Sequence, residues 1–311
     1  MIRSSRNVNQ IGIINVSNTN NILNLKYLFH NVSLSNKPKF SATFNDKSNR
    51  SLSLTPLYKG EGDKDKLYSE GFLSSSIITT DQINGLQLEY ETKQFHTLNQ
   101  SFKSSINYSE NGGIVQKIDS KYKENINAIF ITSDLKIANV LSEYSDLVKR
   151  KMDTEVLKTI QAFDNKIEAI QALPDGIYLN MKGIDELVPL NMAGDGLRRY
   201  LMIMATAINP KHSIVLIDEI ENGLHYSAYK LLWKSILSMS KSQDAQLFIT
   251  THNVETLQSL KSVLEEEGNQ DHQDSVKVFT IEETKKSGFQ TYGYSYEGFK
   301  EAIDNEMELR G

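Results

Sequence analysis

Hydrophobic and polar positions change rhythm along the chain. Between residues 39 and about 116 they alternate in short runs, KFSATFND, SLSLTPLY, GLQLEYE and QFHTLNQSF, broken by polar turns such as 59–65. A period of two predicts antiparallel strands with one wet face. Beyond residue 126 unalternated apolar runs take over: NAIFIT at 127–132, SIVLI at 213–217 and QLFIT at 246–250. Runs of this kind predict strands buried on both faces, as in a parallel sheet.

Between those strands the period is helical. Ser133 or Asp134 can cap a helix running through Tyr144. Over 153–173 the apolar positions Val156, Ile160, Phe163, Ile167 and Ile170 recur at spacings of three and four, predicting one long amphipathic helix that packs on the core or on its neighbour, in preference to a partner-binding coil. Pro174, Asp175 and Gly176 form a turn, and IYLNM and ELVPL read as strands. In MAGDGLRRYLMIMATAINP, Gly194 and Gly196 bracket Asp195 ahead of a helix whose apolar face carries Leu197, Leu201, Met204 and Ile208 and which Pro210 ends. Helices are expected over about 226–239 and 254–266, then a polar loop at 265–274, a hairpin from VKVFTIEE and QTYGYSY, and a closing helix near 296–306. At the amino end, the apolar stretch Ile11 to Ile14 leads through an asparagine-rich turn into a helix with Ile22, Leu25, Leu28 and Phe29 on one face.

Composition narrows the classes. A chain of 311 residues with 39% hydrophobic content can bury one large domain, or a core with an insertion. The net charge of −5 argues against a broadly basic nucleic-acid face. The absence of cysteine excludes disulfides and thiolate metal sites and fits a reducing compartment. No run of about 18 apolar residues and no signal-peptide pattern occurs, so the expected location is cytoplasmic, with no membrane partner.

The chemistry gathers between residues 192 and 253. The apolar run ending at Ile217 meets two acids, Asp218 and Glu219, and the run through Thr250 is followed by Thr251 and His252. Carboxyl ends of parallel strands are where open α/β sheets place ligands. An apolar strand ending in Asp-Glu suits a nucleotide triphosphatase: the first acid holds magnesium, and the second positions or deprotonates the attacking water. A Gly-rich loop opening a helix presents N–H groups and a positive dipole end to phosphate.

The segment AGDGLRRYLMIMATAINPKHSIVLIDEIENGLHYSAYKLLWKSIL, followed by AQLFITTHN, resembles the carboxyl half of an ABC-class AAA ATPase of the OLD-like group, related to the RecF and SMC proteins. The resemblance implies an α/β fold: an ABC-ATPase-type P-loop NTPase core with a mainly parallel sheet flanked by helices, plus an antiparallel β-rich subdomain. It implies ATP and Mg2+ as cofactors. Gly194, Asp195, Gly196 and Arg198 would form the signature loop that contacts the nucleotide of a second subunit. Asp218 would be the Walker B magnesium ligand, Glu219 the general base, Asn222, Gly223, Leu224 and His225 the D-loop, and His252 the switch histidine. For Arg199 two readings stand, a solvated helix face or a functional role. His225 reads first as the cap of the next helix.

At the amino terminus the family pattern breaks. The P-loop of relatives, Gly-x-Asn-x-x-Gly-Lys-Thr/Ser, aligns on VNQIGIINVSNTNNIL so that Asn15 matches the asparagine. Ile13 then replaces the first glycine, Asn18 the second, Thr19 the lysine and Asn20 the magnesium-binding hydroxyl, and no Gly-Lys dipeptide exists in the chain. Thr19 offers one neutral hydrogen bond where lysine supplies a full charge. Either the loop is degenerate, or the true one is missing and the alignment is accidental.

The expected organisation is a single ABC-ATPase-like domain over 1–311: a degenerate P-loop region at 1–38, an antiparallel β subdomain at 39–120, a helical segment with connecting strands at 121–190, and a signature, Walker B and switch-histidine half at 191–311. Two functions compete. One is an ATPase-family protein working as a head-to-tail homodimer, or as a heterodimer with a complete relative, with nucleotide binding impaired in its own P-loop. The other is a non-enzymatic regulatory or scaffold subunit for a separately encoded effector such as a nuclease or toxin. DNA enters by family analogy alone. A self-contained OLD-type nuclease is disfavoured, because no further cluster of acids on strand ends follows His252.

Overall fold

The structure is a computed structural model that describes residues 37–43, 47–58, 83–93, 99–108, 114–123, 127–132, 137–284 and 288–306. The amino-terminal strand and helix, Asn15, Asn18, Thr19, Asn20, and the cap candidates Ser133 and Asp134 lie outside the described residues. Two compact units divide the chain, one within Ile13–Asn125 and one within Ile126–Gly311.

The first unit is an antiparallel meander in which each strand pairs with the next: β1 (Lys39–Thr43), β2 (Asn49–Tyr58), β3 (Ile83–Lys93), β4 (Gln100–Tyr108) and β5 (Ile114–Lys117). The period-two pattern of the sequence is what pairs here. Tyr90 and Phe102, cross-strand partners, stack with Tyr122 edge-on against both. Ile83 and Leu86 are buried. Aromatic pairs of this kind fix register beyond their area burial.

The second unit begins with β6 (Ala128–Ile131), α1 (Ile137–Lys149) and α2 (Asp153–Phe163). Then come β7 (Ile167–Leu173), β8 (Gly176–Met181), the short β9 (Val188–Pro189) and α3 (Asp195–Ile208). The remainder is β10 (Ile214–Ile217), α4 (Tyr229–Gln243), β11 (Gln246–Ile249), α5 (Val254–Leu264), the hairpin β12 (Val278–Thr284) and β13 (Gly288–Tyr294), and α6 (Tyr296–Asp304). Strands β6, β10 and β11 form a parallel sheet with β10 central.

Two expectations need correction. The helix predicted over 153–173 is α2 followed by a strand. Asp164 leaves helical geometry at φ −142, and its carboxylate accepts the Lys166 N–H at 3.0 Å, so an Asx turn ends the helix. Strand β7 then pairs antiparallel with β8, with a register shift between Ile167 and Ala169. That bulge shifts the alternation by one residue, which brings Ile167 and Ile170 both against the core at a spacing of three. A bulged strand thereby imitates helical periodicity.

The three parallel strands are also not buried on both faces. Val215, Ile217 and Ile131 face the core, whereas Phe130 and Phe248, which flank Leu216 in register, are 58% and 48% exposed. Among the described residues nothing closes that second face.

Helix α3 is the centre of the unit. Every residue from Arg199 to Ile208 is buried, so the helix is covered all round rather than along one stripe. Phe163 stacks on Tyr200 with centroids 4.8 Å apart, and Trp233 of α4 donates to the Thr256 carbonyl of α5 at 2.9 Å.

At the amino end of β10 a buried polar cluster ties α1 to the loop after α3. Glu143 accepts from Asn209 at 3.2 Å, pairs with His212 Nε2 at 3.0 Å and with Lys211 at 3.2 Å, while Asp146 takes a second Lys211 contact at 2.6 Å. Burial pushes the Glu143 carboxyl up, but the His212 hydrogen bond and the His212 and Lys211 charges outweigh it and hold the group below its ordinary value. A depressed folded pKa means a contribution present above the unfolded value, about 4.3, and lost as pH falls through the lower folded value. Urea unfolding from pH 7 to pH 3 should show Glu143→Gln less stable than wild type at pH 7 by about 1–3 kcal/mol. The gap should close below about pH 4. Parallel curves for the two proteins would remove Glu143 as the source of acid sensitivity.

Candidate active site

The sequence places its acids one residue beyond β10, and the fold turns them into a compact edge. The chain reverses over 219–224, closed by Asn222 N–H to Glu219 O and Leu224 N–H to Glu221 O, both at 2.9 Å. Glu219 itself adopts φ 48, a left-handed conformation that non-glycine residues seldom take. Strain of this sort persists only where surrounding contacts over-determine it.

Those contacts are present. The Thr250 hydroxyl donates to Asp218 Oδ1 at 2.7 Å and accepts the Glu219 N–H at 2.9 Å, and the Ile220 N–H donates to the Thr250 carbonyl at 3.1 Å. Glu221 Oε1 accepts the His252 N–H at 2.9 Å. His252 Nε2 stands 4.0 Å from Glu219 Oε1, with the two side chains 75% and 41% exposed. An acid and an imidazole therefore face each other at a solvent-open rim, on backbones pinned to each other.

Arg199 is the third element. From the first turns of α3 its guanidinium donates to the carbonyls of Thr132 and Asp218, and to Glu219 O at 3.2 Å. It is only 3% exposed, so the solvated-face reading is excluded. Burial pushes this guanidinium below its usual value, and the charges of Asp218, Glu219 and Glu221 oppose the shift. One side chain thus joins the ends of β6 and β10 to the helix behind the Gly-rich loop.

That loop is built from glycine for two different reasons. Gly194 caps α3 at φ +88, in the region that L side chains rarely adopt. Gly196 lies so close to the turn after β10 that an added Cβ would stand 2.6 Å from the Gly223 carbonyl oxygen. The candidate signature and D-loop segments are therefore one packed surface. Asp195 and Arg198 form an ion pair on it, at 78% and 23% exposure, with Met192 and Tyr226 exposed nearby in sequence. His225 accepts from Ser227 N–H and heads a short 3₁₀ turn, in line with the capping role expected of it.

The structure thus brings together Asp218, Glu219 and His252, and separately packs Asp195 and Gly196 against Gly223 and Leu224, with Gly194 capping the same helix and Arg198 paired to Asp195. Sequence reasoning missed Thr250 and Glu221. The adjacent threonines of ITTHN and the third acid of DEIE were the available signals, but which of them points back across the edge depends on strand pairing. Among the described residues no three His, Cys, Asp or Glu side chains converge as a preformed metal cage. A magnesium ion arriving on nucleotide phosphates needs only one or two protein carboxylates, and Asp218 fits that demand.

Residues 25–258 match the family described as AAA domain, putative AbiEii toxin, Type IV TA system. The chain belongs to this AAA family. It is 31% identical over 191 residues to an ATP/GTP phosphatase of Helicobacter pylori, covering 59% of this chain and 50% of that protein. The chain spans about half the length of that curated relative. Among solved structures, the SMC head domain from Thermotoga maritima is similar at 8% identity and a TM-score of 0.34, over 68% of this chain and 75% of that one. A Smc head domain from work on Pyrococcus furiosus is similar at 8% identity and a TM-score of 0.34, over 72% of this chain and 81% of that one. The expected AAA family is borne out by the family match, and the expected α/β class by the parallel sheet flanked by helices and the separate antiparallel sheet. Family membership points to nucleotide as the ligand class, with magnesium as its usual companion. No helix among the described residues is long and apolar enough to cross a membrane.

Proposed function

We propose that this AAA-family chain is an ABC-type, OLD-like ATPase protein that works as a head-to-tail dimer and binds nucleotide weakly through its own amino-terminal loop. The observation that carries the reading is the pinned edge formed by Asp218, Glu219 and His252 at the ends of two parallel strands. Asp218 would hold the magnesium ion of a bound ATP, which when present neutralises charge on the phosphates. Glu219 would take the proton of the attacking water, and His252 would stabilise the terminal phosphate from the same rim. Gly194, Asp195, Gly196 and Arg198, together with Asn222, would meet the nucleotide of the second subunit. Asn15, Asn18, Thr19 and Asn20 would stand at the chain's own phosphates. With no Gly-Lys pair in the sequence, that loop lacks the cation that usually holds the β and γ phosphates.

The loop's chemistry also supports a second reading, a regulatory or scaffold subunit for a separate effector such as a nuclease or toxin. The toxin–antitoxin wording of the family description is compatible with such a partner. DNA as a partner rests on analogy alone.

Calorimetry of the purified chain with ATP and magnesium separates these readings, together with the Glu219→Gln variant and its size by light scattering. Weak binding, with a Kd above roughly 100 μM or about −5.5 kcal/mol, and a dimer trapped by the variant at saturating ATP, is the expected result. Tighter binding would remove the impaired-loop claim. No binding and no dimer at millimolar ATP would leave the scaffold reading.

A further inference from the structure

We infer that Glu221 is a positioning residue that sets His252 over the Glu219 carboxylate, an inference that rests on the ATPase reading of this edge. Three neighbouring residues bear on that geometry. Thr250 ties Asp218 and the Glu219 N–H to the end of β11, but it acts two residues before the histidine. Thr251 turns inward, accepting the Asn253 N–H at 3.1 Å, and so helps cap α5 rather than holding the rim. Among the described residues only Glu221 reaches the histidine's own backbone N–H, at 2.9 Å.

The need for such a tie follows from exposure. The His252 ring is three-quarters exposed, and its one described side-chain neighbour, Glu219, is 4.0 Å away, beyond hydrogen-bonding reach. A ring placed in this way depends on its backbone for its aim. Beyond the ties at Thr250, which include Ile220 N–H to Thr250 O, that backbone is held by His252 N–H to Glu221 Oε1. This last bond joins a turn whose other end is fixed by Leu224 N–H on Glu221 O, so Glu221 links the candidate D-loop to the histidine through both its backbone and its side chain.

The choice of an acid here is otherwise costly. Glu221 Oε2 is buried and has no hydrogen-bond partner among the described residues, and a buried carboxylate oxygen left in that condition opposes folding. The Arg199 guanidinium, on which Glu221 acts electrostatically, offsets part of that cost. Stability alone gives no reason for this carboxylate, whereas a strong acceptor for a backbone N–H at a reaction rim does.

The test compares Glu221→Leu, Glu221→Asp and Glu221→Gln in the whole chain with two readouts. Amide exchange at His252, followed by NMR, reads the tie without any activity. It should accelerate about tenfold or more in the Leu and Asp variants, which lack the acceptor or cannot reach, and stay within about threefold of wild type in the Gln variant. Steady-state ATP hydrolysis should show kcat lowered about tenfold in Leu and Asp with KM unchanged, and Gln restoring most of it. Wild-type exchange rates in the Asp variant would overturn the inference, as would Gln behaving like Asp in both readouts. If Leu does not fold, Asp against Gln decides. Should the wild-type chain hydrolyse no ATP, the ATPase reading fails by itself, and the exchange data still decide whether Glu221 holds His252.

Discussion

Arg199→Leu is expected to destabilise the chain by about 3–5 kcal/mol, the range found when one partner of a buried charged network is removed. The guanidinium serves three carbonyls, of Thr132, Asp218 and Glu219, which lie at the ends of two strands. Leucine matches much of its apolar stem but removes the three donated bonds and leaves the charges of Asp218, Glu219 and Glu221 without the cation between them. Arg199→Lys should recover only part of the loss, since an ammonium cannot reproduce a planar fork directed at several oxygens. Urea unfolding at pH 7, followed by circular dichroism, measures both variants. A loss under about 1 kcal/mol for leucine would mean that the carbonyls find water and that Arg199 is not an internal tie. The same substitution should release Glu219 from its left-handed conformation, so any hydrolysis would fall with stability.

Gly196→Ala should act by geometry instead of charge. The new Cβ would stand 2.6 Å from a backbone oxygen, that of Gly223, and backbone cannot step aside as a flexible side chain would. Overpacking of this kind costs about 1–3 kcal/mol, and it would also part the surface on which the Gly-rich loop and the acidic turn lie together. Gly176→Ala is the matched control: its added methyl would meet only Tyr178 at 3.9 Å. That variant should be within about 0.5 kcal/mol of wild type. Equal urea midpoints for the two glycine variants would show that the loops do not depend on close contact. If ATP-dependent dimerisation is observed for wild type, Gly196→Ala should abolish it while leaving the monomer folded.

Much of this architecture is legible in residue order alone. The alternating runs of 39–116 become a meander because period two matches strand pairing, while burial does not follow it: β1 is exposed throughout, and Phe40 and Val115 face solvent among the described residues. The acids after β10 can be placed at a strand end because an apolar run that stops at two carboxylates has reached the edge of its sheet. Other features mislead for physical reasons. Ile167 and Ile170 sit three apart on one face because of a bulge, which no periodicity count separates from a helix. Phe130 and Phe248 read as buried from hydrophobicity, although burial depends on what lies opposite and not on the residue itself.

Arg198 and Arg199 make the same division within one dipeptide. Their order in the sequence offers two adjacent cations at a helix start, and nothing local ranks them. The helix turns about 100° per residue, so one points to the surface pair with Asp195 and the other into the strand ends.

The sequence by itself determined the family, the α/β class, the place of Asp218, Glu219 and His252 just beyond strand ends, and that no Gly-Lys dipeptide occurs in it, because these depend on residue type and on spacing within one element. Only the tertiary structure decided that Thr250 and Glu221 pin those groups, that Arg199 is buried beneath them, and that Gly196 touches Gly223. Each of these is a contact between segments from 19 to 32 residues apart, or in the case of Arg199 and Thr132, 67 apart. Hydrogen bonds and close approach act over a few ångströms in space and leave no periodic trace along the chain.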